Sequence, residues 1–383
     1  MGSKEWSSNK KWNPFNSDKL LTQIYRWREI KKGNKIPQPA LITIDPANIC
    51  NLRCSYCNAA YILDHNKEAL SERLMNEIPN FLSSWQSSPN WQKGVEAVCV
   101  AGGGEPMINK NTSNLILKCI QNNIEVGVVS NGTLIDRSLD ALSKCTWVGI
   151  SVDASTKDTF LKLKGKDEFD RVISNIEKLS KYSEENKTRL SLPYQGYGIS
   201  YKYLLHPLNV REVYDAAVIA KKIGCKNFHL RPVGVPWDKI EKDSIGFSME
   251  DISIYNAQIE QSHLLEDDNF GTFGITHKFG NKLDRSNCFE RCHAVFMTAV
   301  ICPGTEEDTF NFGLCCDRRG DPGMFLGTNL KYPEQISDLW GSDKHWEICD
   351  KIKVEKCPRC TYQPHNIIFD NVILSDNMTY KFI

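Results

Sequence analysis

The chain has 383 residues, enough for two or three domains at roughly 150 residues each. Its 47 basic and 47 acidic side chains cancel, which excludes a strongly basic surface for nucleic acid or an anionic membrane. No signal-peptide core and no stretch of the roughly 20 apolar residues that span a membrane occurs, so we expect a cytoplasmic protein without a nucleic-acid or membrane partner. Cysteine is the unusual component, with 15 copies, and clustered thiols in a reducing compartment indicate metal before disulfides.

Strands and helices alternate over the first 240 residues. Residues 17–32 predict a helix that begins at Ser17 and ends at Gly33, before a linker that contains proline. Six buried strands are predicted next, beginning near Leu41, Val95, Ile124, Val148, Tyr197 and Asn227. Helices are predicted between them, the clearest at residues 113–123, 170–185 and 210–223. The alternation predicts an α/β fold with a parallel sheet, in the form of a partial (β/α)6 barrel.

The alternation stops beyond residue 238. One more helix is predicted at residues 249–264, followed by a cysteine-rich tract with a strand pair at 293–302 and 310–316. We therefore expect a small C-terminal domain, a hairpin plus helix, built around cysteines. The predicted divisions are an N-terminal helix and linker (1–40), the partial barrel (41–240) and the C-terminal domain (241–383).

Three cysteines follow the first predicted strand directly. Cys50, Cys54 and Cys57 lie within NICNLRCSYCNAAY, at the carboxyl end of a strand, where α/β folds place their chemistry. Three thiolates can hold three irons of a four-iron cluster and leave the fourth iron open for a substrate or cofactor. The alternatives are a zinc knuckle that lacks its fourth ligand, or three core cysteines, and three thiols within eight residues argue against packing alone.

The segment CNLRCSYC resembles the signature of the radical S-adenosylmethionine (radical SAM) superfamily, three cysteines spaced C-x3-C-x2-C with an aromatic residue, here Tyr56, before the last. The resemblance implies that Cys50, Cys54 and Cys57 are catalytic and ligate a [4Fe-4S] cluster. S-adenosylmethionine would chelate its open iron and be cleaved by one electron to a 5′-deoxyadenosyl radical. The resemblance also implies that Tyr56 lies against the adenine and that a reducing partner such as flavodoxin or ferredoxin supplies the electron.

Polar residues after the next three predicted strands extend the resemblance. Gly103, Gly104 and Glu105 match the family's GGE motif, which holds the methionine amino group; glycines permit close backbone approach, and a carboxylate complements an ammonium. Further cofactor-binding candidates, which are equally ordinary turn and cap formers, are Ser130, Asn131, Ser151 and Asp153.

One departure from the family concerns charge. Lys164 precedes Gly165 where relatives often carry arginine, and lysine offers a point charge instead of a bidentate fork. We therefore expect a looser carboxylate clamp, or one supplied from elsewhere by Arg231. At the barrel mouth, Tyr197, Tyr201, His206 and Arg231 are candidate substrate-pocket residues.

The second cysteine cluster occupies the C-terminal domain. Cys357 and Cys360 form a CxxC, and the predicted hairpin adds Cys292 and the Cys315–Cys316 pair, so that four thiolates can meet at one zinc or iron–sulfur site. The tract from Cys292 to Cys360 resembles the twitch and SPASM extensions of radical enzymes, which bind auxiliary [4Fe-4S] clusters. On that resemblance the ligands are Cys292, Cys315, Cys357 and Cys360, with Cys316 as the alternative to Cys315 because a one-residue slip reverses the side that faces inward.

Two clusters with one open iron indicate a radical SAM oxidoreductase. The favoured hypothesis is oxidation of a hydroxylated small molecule, similar to an aminocyclitol or sugar, with the auxiliary cluster as electron acceptor. One alternative is a maturase that modifies a peptide or protein side chain, although the 49 residues before Cys50 hold no obvious peptide-recognition module. The alternative of a different class is a non-catalytic scaffold that binds zinc.

Overall fold

The computed structural model describes residues 18–33, 35–89, 91, 93–192, 196–240, 245–276, 278–279, 289–357 and 360–375. The predicted cap Ser17, together with Cys288, Pro358 and Arg359, lies outside the described residues.

All ten described strands belong to one sheet. They are β1 (Leu41–Ile44), β2 (Ala97–Val100), β3 (Glu125–Ser130), β4 (Trp147–Ser151), β5 (Gly198–Leu205), β6 (Asn227–Pro232), β7 (Gly271–Gly274), β8 (Thr298–Pro303), β9 (Phe310–Gly313) and β10 (Phe325–Leu330). Their order across the sheet is β10-β9-β8-β1-β2-β3-β4-β5-β6-β7. Strands β1 to β7 are parallel neighbours, β8 pairs in parallel with β1, and β9 and β10 are added antiparallel.

The α-helices of the described residues connect these strands or cover the ends of the chain. They are α1 (Asp18–Leu21), α2 (Ile24–Lys32), α3 (Ala60–His65), α4 (Glu72–Ser84), α5 (Thr112–Gln121), α6 (Leu139–Ser143), α7 (Lys157–Lys164), α8 (Phe169–Glu185), α9 (Val213–Lys222), α10 (Met249–His263), α11 (Gln335–Leu339), α12 (Asp343–Lys351) and α13 (Gln363–Ile368).

Local chemistry explains several helix ends. The hydroxyl of Ser71 accepts a hydrogen bond from the Leu74 amide at the start of α4, and Ser248 and Asp251 form a reciprocal capping box at the start of α10. Helix α7 ends at Gly165 in the left-handed conformation, with φ of 74°.

The predicted α/β fold with a cysteine-rich C-terminal region is confirmed, and all six predicted strands are present. The structure adds a seventh parallel strand, β7, which is only four residues long and contains two glycines, so its apolar signal is weak. The predicted hairpin is also present as β8 and β9, but it continues the barrel sheet through β1 instead of forming a separate sheet. The helix predicted at 17–32 is divided into α1 and α2.

The two faces of the sheet differ in character. Val98, Val128, Val148 and Ile150 on one face are at most 1% exposed and belong to the main hydrophobic cluster with the helices. The residues at the alternate positions form what is here called the inner face, on which Cys99 and Trp147 are only partly buried. None of the described helices has the length and apolar character needed to cross a membrane.

The β1–β8 pairing predicts an effect on stability. Ile301 is fully buried in β8 opposite Ile44, so Ile301→Ala should lower the free energy of unfolding by about 2–5 kcal/mol. Urea unfolding measures this loss. Val218→Ala, at a site 39% exposed on α9, is the control and should change stability by about 0.5 kcal/mol or less; equal losses in the two variants would contradict the packing role of β8.

Candidate functional site

The cysteine loop, residues 46–59, begins at the carboxyl end of β1. Cys50, Cys54 and Cys57 are half-buried in it, and they lie close enough for each thiolate to disfavour the next. Burial raises the pKa of Cys57 to about 11, and charge repulsion from Cys54 and Cys50 adds to the shift. Burial also raises the pKa of Cys50 and of Cys54. A bound cation favours the thiolate forms that burial disfavours, so the three converging thiols fit a metal cluster.

The glycine loop after β2 lies directly against the cysteine loop. A Cβ atom at Gly104 would stand 2.1 Å from the carbonyl oxygen of Ile49, and one at Gly103 would stand 2.6 Å from Oδ1 of Asn48. The amide of Glu105 donates to the Ile49 carbonyl at 2.8 Å. Both glycines are therefore required for this close approach between two loops of the chain itself.

Glu105 connects the ends of β2 and β3. Its side chain is buried, with Oε1 accepting from the Ser130 hydroxyl at 2.8 Å and the Met107 amide at 3.0 Å, and Oε2 accepting from the Asn131 amide at 2.7 Å. Burial raises the pKa of Glu105, and these hydrogen bonds oppose the shift. Three donors thus fix the carboxylate at the position where the sequence predicts cofactor binding.

Asn131 connects the end of β3 to the cysteine loop. Its Nδ2 donates to Oδ1 of Asn51 at 2.8 Å and lies 3.9 Å from the sulfur of Cys50. Its Oδ1 accepts from the amide of Thr133 at 3.0 Å. An amide donor beside a thiolate favours the charged form, so Asn131 opposes the rise that burial gives the pKa of Cys50.

Tyr56, Asp153 and Lys164 form a buried polar group behind the thiols. The Tyr56 hydroxyl donates to Oδ2 of Asp153 at 2.7 Å, and the Lys164 ammonium pairs with the same carboxylate while lying 5.6 Å from the centre of the Tyr56 ring. Burial alone would lower the pKa of Lys164, but Asp153 and Cys54 reverse the shift and raise it. The three predicted cofactor-binding residues are therefore brought together, with their polar atoms bonded to one another.

Helix α7 holds the cysteine loop by its last carbonyl groups. The amides of Arg53 and Ser55 donate to the carbonyls of Lys164 and Leu163, both at 3.0 Å. A helix end leaves such carbonyls without partners inside the helix. The segment between β4 and α8 thus contributes backbone as well as side chains to the position of the thiols.

The remaining predicted pocket residues are dispersed. Tyr201 donates its hydroxyl to the Ala154 carbonyl at 2.5 Å within the core, so its assignment to the pocket is corrected: alternation along β5 turns it toward the helices. Tyr197 precedes β5 at the opposite edge, where Arg189 lies 5.1 Å above its ring. His206 follows β5, with its ring centre 5.9 Å from that of Tyr56. Ser151 is the last residue of β4, and Arg231 is the penultimate residue of β6.

The second thiol group lines one cavity. Cys292, Cys315, Cys357 and Cys360 surround it together with apolar side chains such as Val295 and Leu314. Cys316 is not among the lining residues; its sulfur lies 3.8 Å from the Tyr362 hydroxyl. Both residues follow the end of β9, where the chain turns Cys315 toward the other three thiols and Cys316 toward Tyr362.

Burial disfavours the charged forms of these four thiols. It raises the pKa of Cys292 to about 12, with Cys357 and Cys349 adding to the shift. Asn366 donates from Nδ2 to the Cys292 sulfur at 3.6 Å. In the described part of the chain, no three His, Cys, Asp or Glu side chains gather tightly around a single metal position. A four-iron cluster does not need that arrangement because each thiolate ligates a different iron.

Sequence analysis missed the connection between the two thiol groups. Nε of Arg319, three residues after Cys316, lies 2.8 Å from Oδ2 of Asp45, five residues before Cys50. Asp45 is fully buried. The only signal in the sequence was Asp45 itself, a charged residue directly after an apolar strand. An aspartate at such a position is also common at the start of a turn. Cys99 lies half-buried on the inner face, near Arg319, whereas Cys119, Cys145 and Cys225 are buried.

Comparison with known proteins agrees with this geometry. Residues 44–191 match the family described as the Radical SAM superfamily, so the chain carries a radical SAM domain. A probable GTP 3′,8-cyclase from Archaeoglobus fulgidus is 27% identical over 131 residues, which is 34% of this chain and 40% of that protein. The chain spans about half or less of the curated relatives it matches.

Solved structures share the fold over most of the chain. Streptococcus suis SuiB bound to precursor peptide SuiA has a TM-score of 0.56 at 16% identity, covering 86% of this chain and 71% of that one. Native anSMEcpe with bound AdoMet and Cp18Cys peptide has a TM-score of 0.55 at 16% identity, covering 86% of this chain and 88% of that one. At these identities the likeness establishes the fold.

The contact between the glycine and cysteine loops predicts a specific defect. Gly104→Ala places a methyl group on the Ile49 carbonyl, so the cysteine loop must move. Iron bound after anaerobic reconstitution should fall by up to about four irons, the content of one four-iron cluster. Iron analysis with visible absorbance measures this. Gly323→Ala, whose added Cβ would meet only a side-chain oxygen of Asp321 at 3.3 Å, is the control and should retain its iron; full iron in Gly104→Ala would show that the loop tolerates the displacement.

Proposed function

We propose that this protein is a radical SAM enzyme that reductively cleaves S-adenosylmethionine and modifies a peptide or protein side chain. The observation that carries the proposal is the set of three half-buried thiols, Cys50, Cys54 and Cys57, held after β1 by the loops that follow β2 and β3 and by helix α7. The domain match over residues 44–191 supports the same chemistry.

The residues of the chain divide this work. Cys50, Cys54 and Cys57 hold three irons of a [4Fe-4S] cluster, which when bound supplies one electron to S-adenosylmethionine and thereby yields the 5′-deoxyadenosyl radical. Cofactor positioning is assigned to the residues that the sequence predicted at the neighbouring strand ends: Tyr56, Gly103, Gly104, Glu105, Ser130, Asn131, Ser151, Asp153 and Lys164. Glu105 and Asn131 also keep the glycine and cysteine loops in contact, so they contribute to the position of the thiols as well.

Cys292, Cys315, Cys357 and Cys360 are proposed to hold an auxiliary [4Fe-4S] cluster. Support comes from the cavity that these four thiols share and from the Asn366 amide beside Cys292. Burial disfavours the thiolate forms of these cysteines, although Arg318 favours that of Cys357. Metal binding would stabilise the deprotonated forms. Zinc remains the competing occupant, and metal analysis separates the two.

The substrate is proposed to be a peptide. Two of the fold neighbours were solved with peptides, SuiA and Cp18Cys, and each spans most of this chain. The aminocyclitol or sugar-like substrate that the sequence favoured is not named by the relatives reported above, of which the curated one is named for GTP. A reducing partner such as flavodoxin or ferredoxin follows from the need for one electron in each cleavage.

The radical chemistry is tested by replacing its three proposed ligands. The Cys50→Ala, Cys54→Ala, Cys57→Ala triple variant should lose about four irons and all detectable 5′-deoxyadenosine formation under strong reductant. Chromatography of anaerobic reactions measures 5′-deoxyadenosine against wild type. The control is Cys119→Ala, which changes a buried thiol on α5 outside both groups of predicted ligands and should retain the activity. Continued cleavage by a folded triple variant would falsify the radical site.

The auxiliary site is tested at the adjacent pair of cysteines. Cys315→Ala should lower the iron content of the second site and Cys316→Ala should not, because only Cys315 lines the cavity. Iron and zinc counts on the same samples identify the metal: zinc replacing the iron in wild type would make the site structural. Circular dichroism confirms folding, since loss of a structural cluster can unfold the region around it. Equal iron in both variants would remove Cys315 from the ligand set.

A further inference from the structure

The cavity at the second thiol group is lined by two charged side chains in addition to its cysteines. Asp317 and Arg318 belong to the short turn that follows β9 and Cys315, and both contribute to the wall of the cavity. Apart from the four thiols, the other described residues that line it are uncharged. A carboxylate and a guanidinium thus reach the same cavity from adjacent positions of the chain.

The position of Arg318 is fixed within the turn. Its guanidinium forms an ion pair with Asp321, which is buried, and Oδ1 of Asp321 accepts a hydrogen bond from the Gly323 amide at 2.9 Å. The Arg318 side chain is 20% exposed. Because a guanidinium has five N–H donors, the ion pair with Asp321 leaves donors of Arg318 for the cavity.

One cysteine of the cavity receives the charge of Arg318 directly. Burial raises the pKa of the Cys357 thiol, and Arg318 opposes the rise through its positive charge and a hydrogen bond to the sulfur. Hydrogen bonds that involve ionised groups are stronger than those between neutral groups. Arg318 therefore favours negative charge on the sulfur of Cys357.

Asp317 has the opposite effect on the same cavity. Its Oδ2 accepts from the amide of Thr361 at 3.0 Å, and its Oδ1 accepts from the Thr361 hydroxyl at 3.4 Å. Thr361 directly follows Cys360, so the carboxylate is held beside that thiol. Burial raises the pKa of Cys360 and of Cys315, and the negative charge of Asp317 adds to both shifts. Asp317 therefore disfavours negative charge on these sulfurs.

Charges that favour or disfavour a thiolate have the same effect on an added electron. The reduced form of a four-iron cluster carries one more negative charge than the oxidised form, so a nearby cation favours reduction and a nearby anion disfavours it. Net charge and hydrogen bonds to the sulfurs are among the properties that set the reduction potentials of such clusters. The effect is large in a cavity lined mainly by apolar side chains, because charges interact more strongly at low dielectric constant.

We propose that Arg318 and Asp317 are positioning residues that set the reduction potential of the auxiliary [4Fe-4S] cluster. Arg318 raises the potential and Asp317 lowers it, each by acting on the thiolates that ligate the cluster. The inference rests on the auxiliary cluster of the proposed function. It goes beyond that function by assigning two side chains that are not ligands to the control of how readily the auxiliary site takes up an electron.

The experiment is a reductive titration of the anaerobically reconstituted full chain, followed by electron paramagnetic resonance. Titanium(III) citrate is the reductant, and the auxiliary signal is the one retained in the triple variant that lacks the first three cysteines. Arg318→Met should lower the midpoint potential of this signal by the equivalent of a tenfold change in the one-electron equilibrium, about 59 mV. Asp317→Asn, which keeps an oxygen for the Thr361 amide, should raise the midpoint potential by a similar amount.

The opposite signs of the two shifts distinguish a charge effect from a general disturbance of the cavity. A change in packing or in access of water would move the potential in the same direction in both variants. Arg318→Lys keeps the positive charge and should change the one-electron equilibrium by about threefold or less. Arg211→Met and Asp140→Asn are matched controls that should leave the potential unchanged, because these residues form exposed ion pairs with Glu250 and Lys144.

Shifts of the same sign in Arg318→Met and Asp317→Asn, or shifts no larger than those of the controls, would overturn the inference. Iron and zinc counts on the same samples separate this failure from failure of the auxiliary cluster itself. Zinc at the second site of the wild type rejects both proposals, whereas two clusters with unshifted potentials reject only the charge effect. If Arg318→Met loses its second cluster, Asp317→Asn decides the question: a higher potential supports the inference, and an unchanged potential rejects it.

Discussion

The buried ion pair between Asp45 and Arg319 is the constraint on which the arrangement of the two thiol sites depends. Asp45 directly follows β1, just before the cysteine loop, and Arg319 follows the turn that holds Cys315 and Cys316. A charge removed from water is tolerated only with a partner in good geometry, so each loop is fixed by the other. The Arg319 carbonyl also accepts a hydrogen bond from Nε1 of Trp237 at 2.8 Å. The segment after β6 is thereby attached to the same residue.

The parallel pairing of β8 with β1 makes this contact possible. It brings the C-terminal cysteines to the same sheet as the barrel and aligns the hairpin with the strand that precedes the first thiols. Two sites that are more than 230 residues apart in sequence are thus connected by one register and one ion pair. A shift of one residue in that register would turn Asp45 toward the helices.

The two faces of the sheet perform different tasks. The helix-facing residues are apolar and close-packed, as stability requires. The inner face instead holds Cys99, Trp147, Lys202 and His229, with glycines beside them, which adds little to the core. At the carboxyl ends of the strands, several predicted cofactor residues also hydrogen-bond to neighbouring loops. Glu105 accepts from Asn131, Asn131 donates to Asn51 of the cysteine loop, and Lys164 pairs with Asp153. These contacts help to position the thiols.

Local sequence patterns were sufficient to predict the six strands of the barrel, most helices, both groups of thiols and the polar residues at strand ends. The periods of strands and helices and the spacing of the cysteines are local properties of the chain. The four thiols of the second site were also predicted, although the choice between Cys315 and Cys316 required the actual direction of each side chain. Tertiary structure alone decided that β7 joins the sheet, that Tyr201 faces the helices, that Arg319 reaches Asp45 and that Lys202 lies across Gly149. Each of these depends on strand pairing between distant segments, and no local sequence pattern encodes which strands become neighbours or at what register.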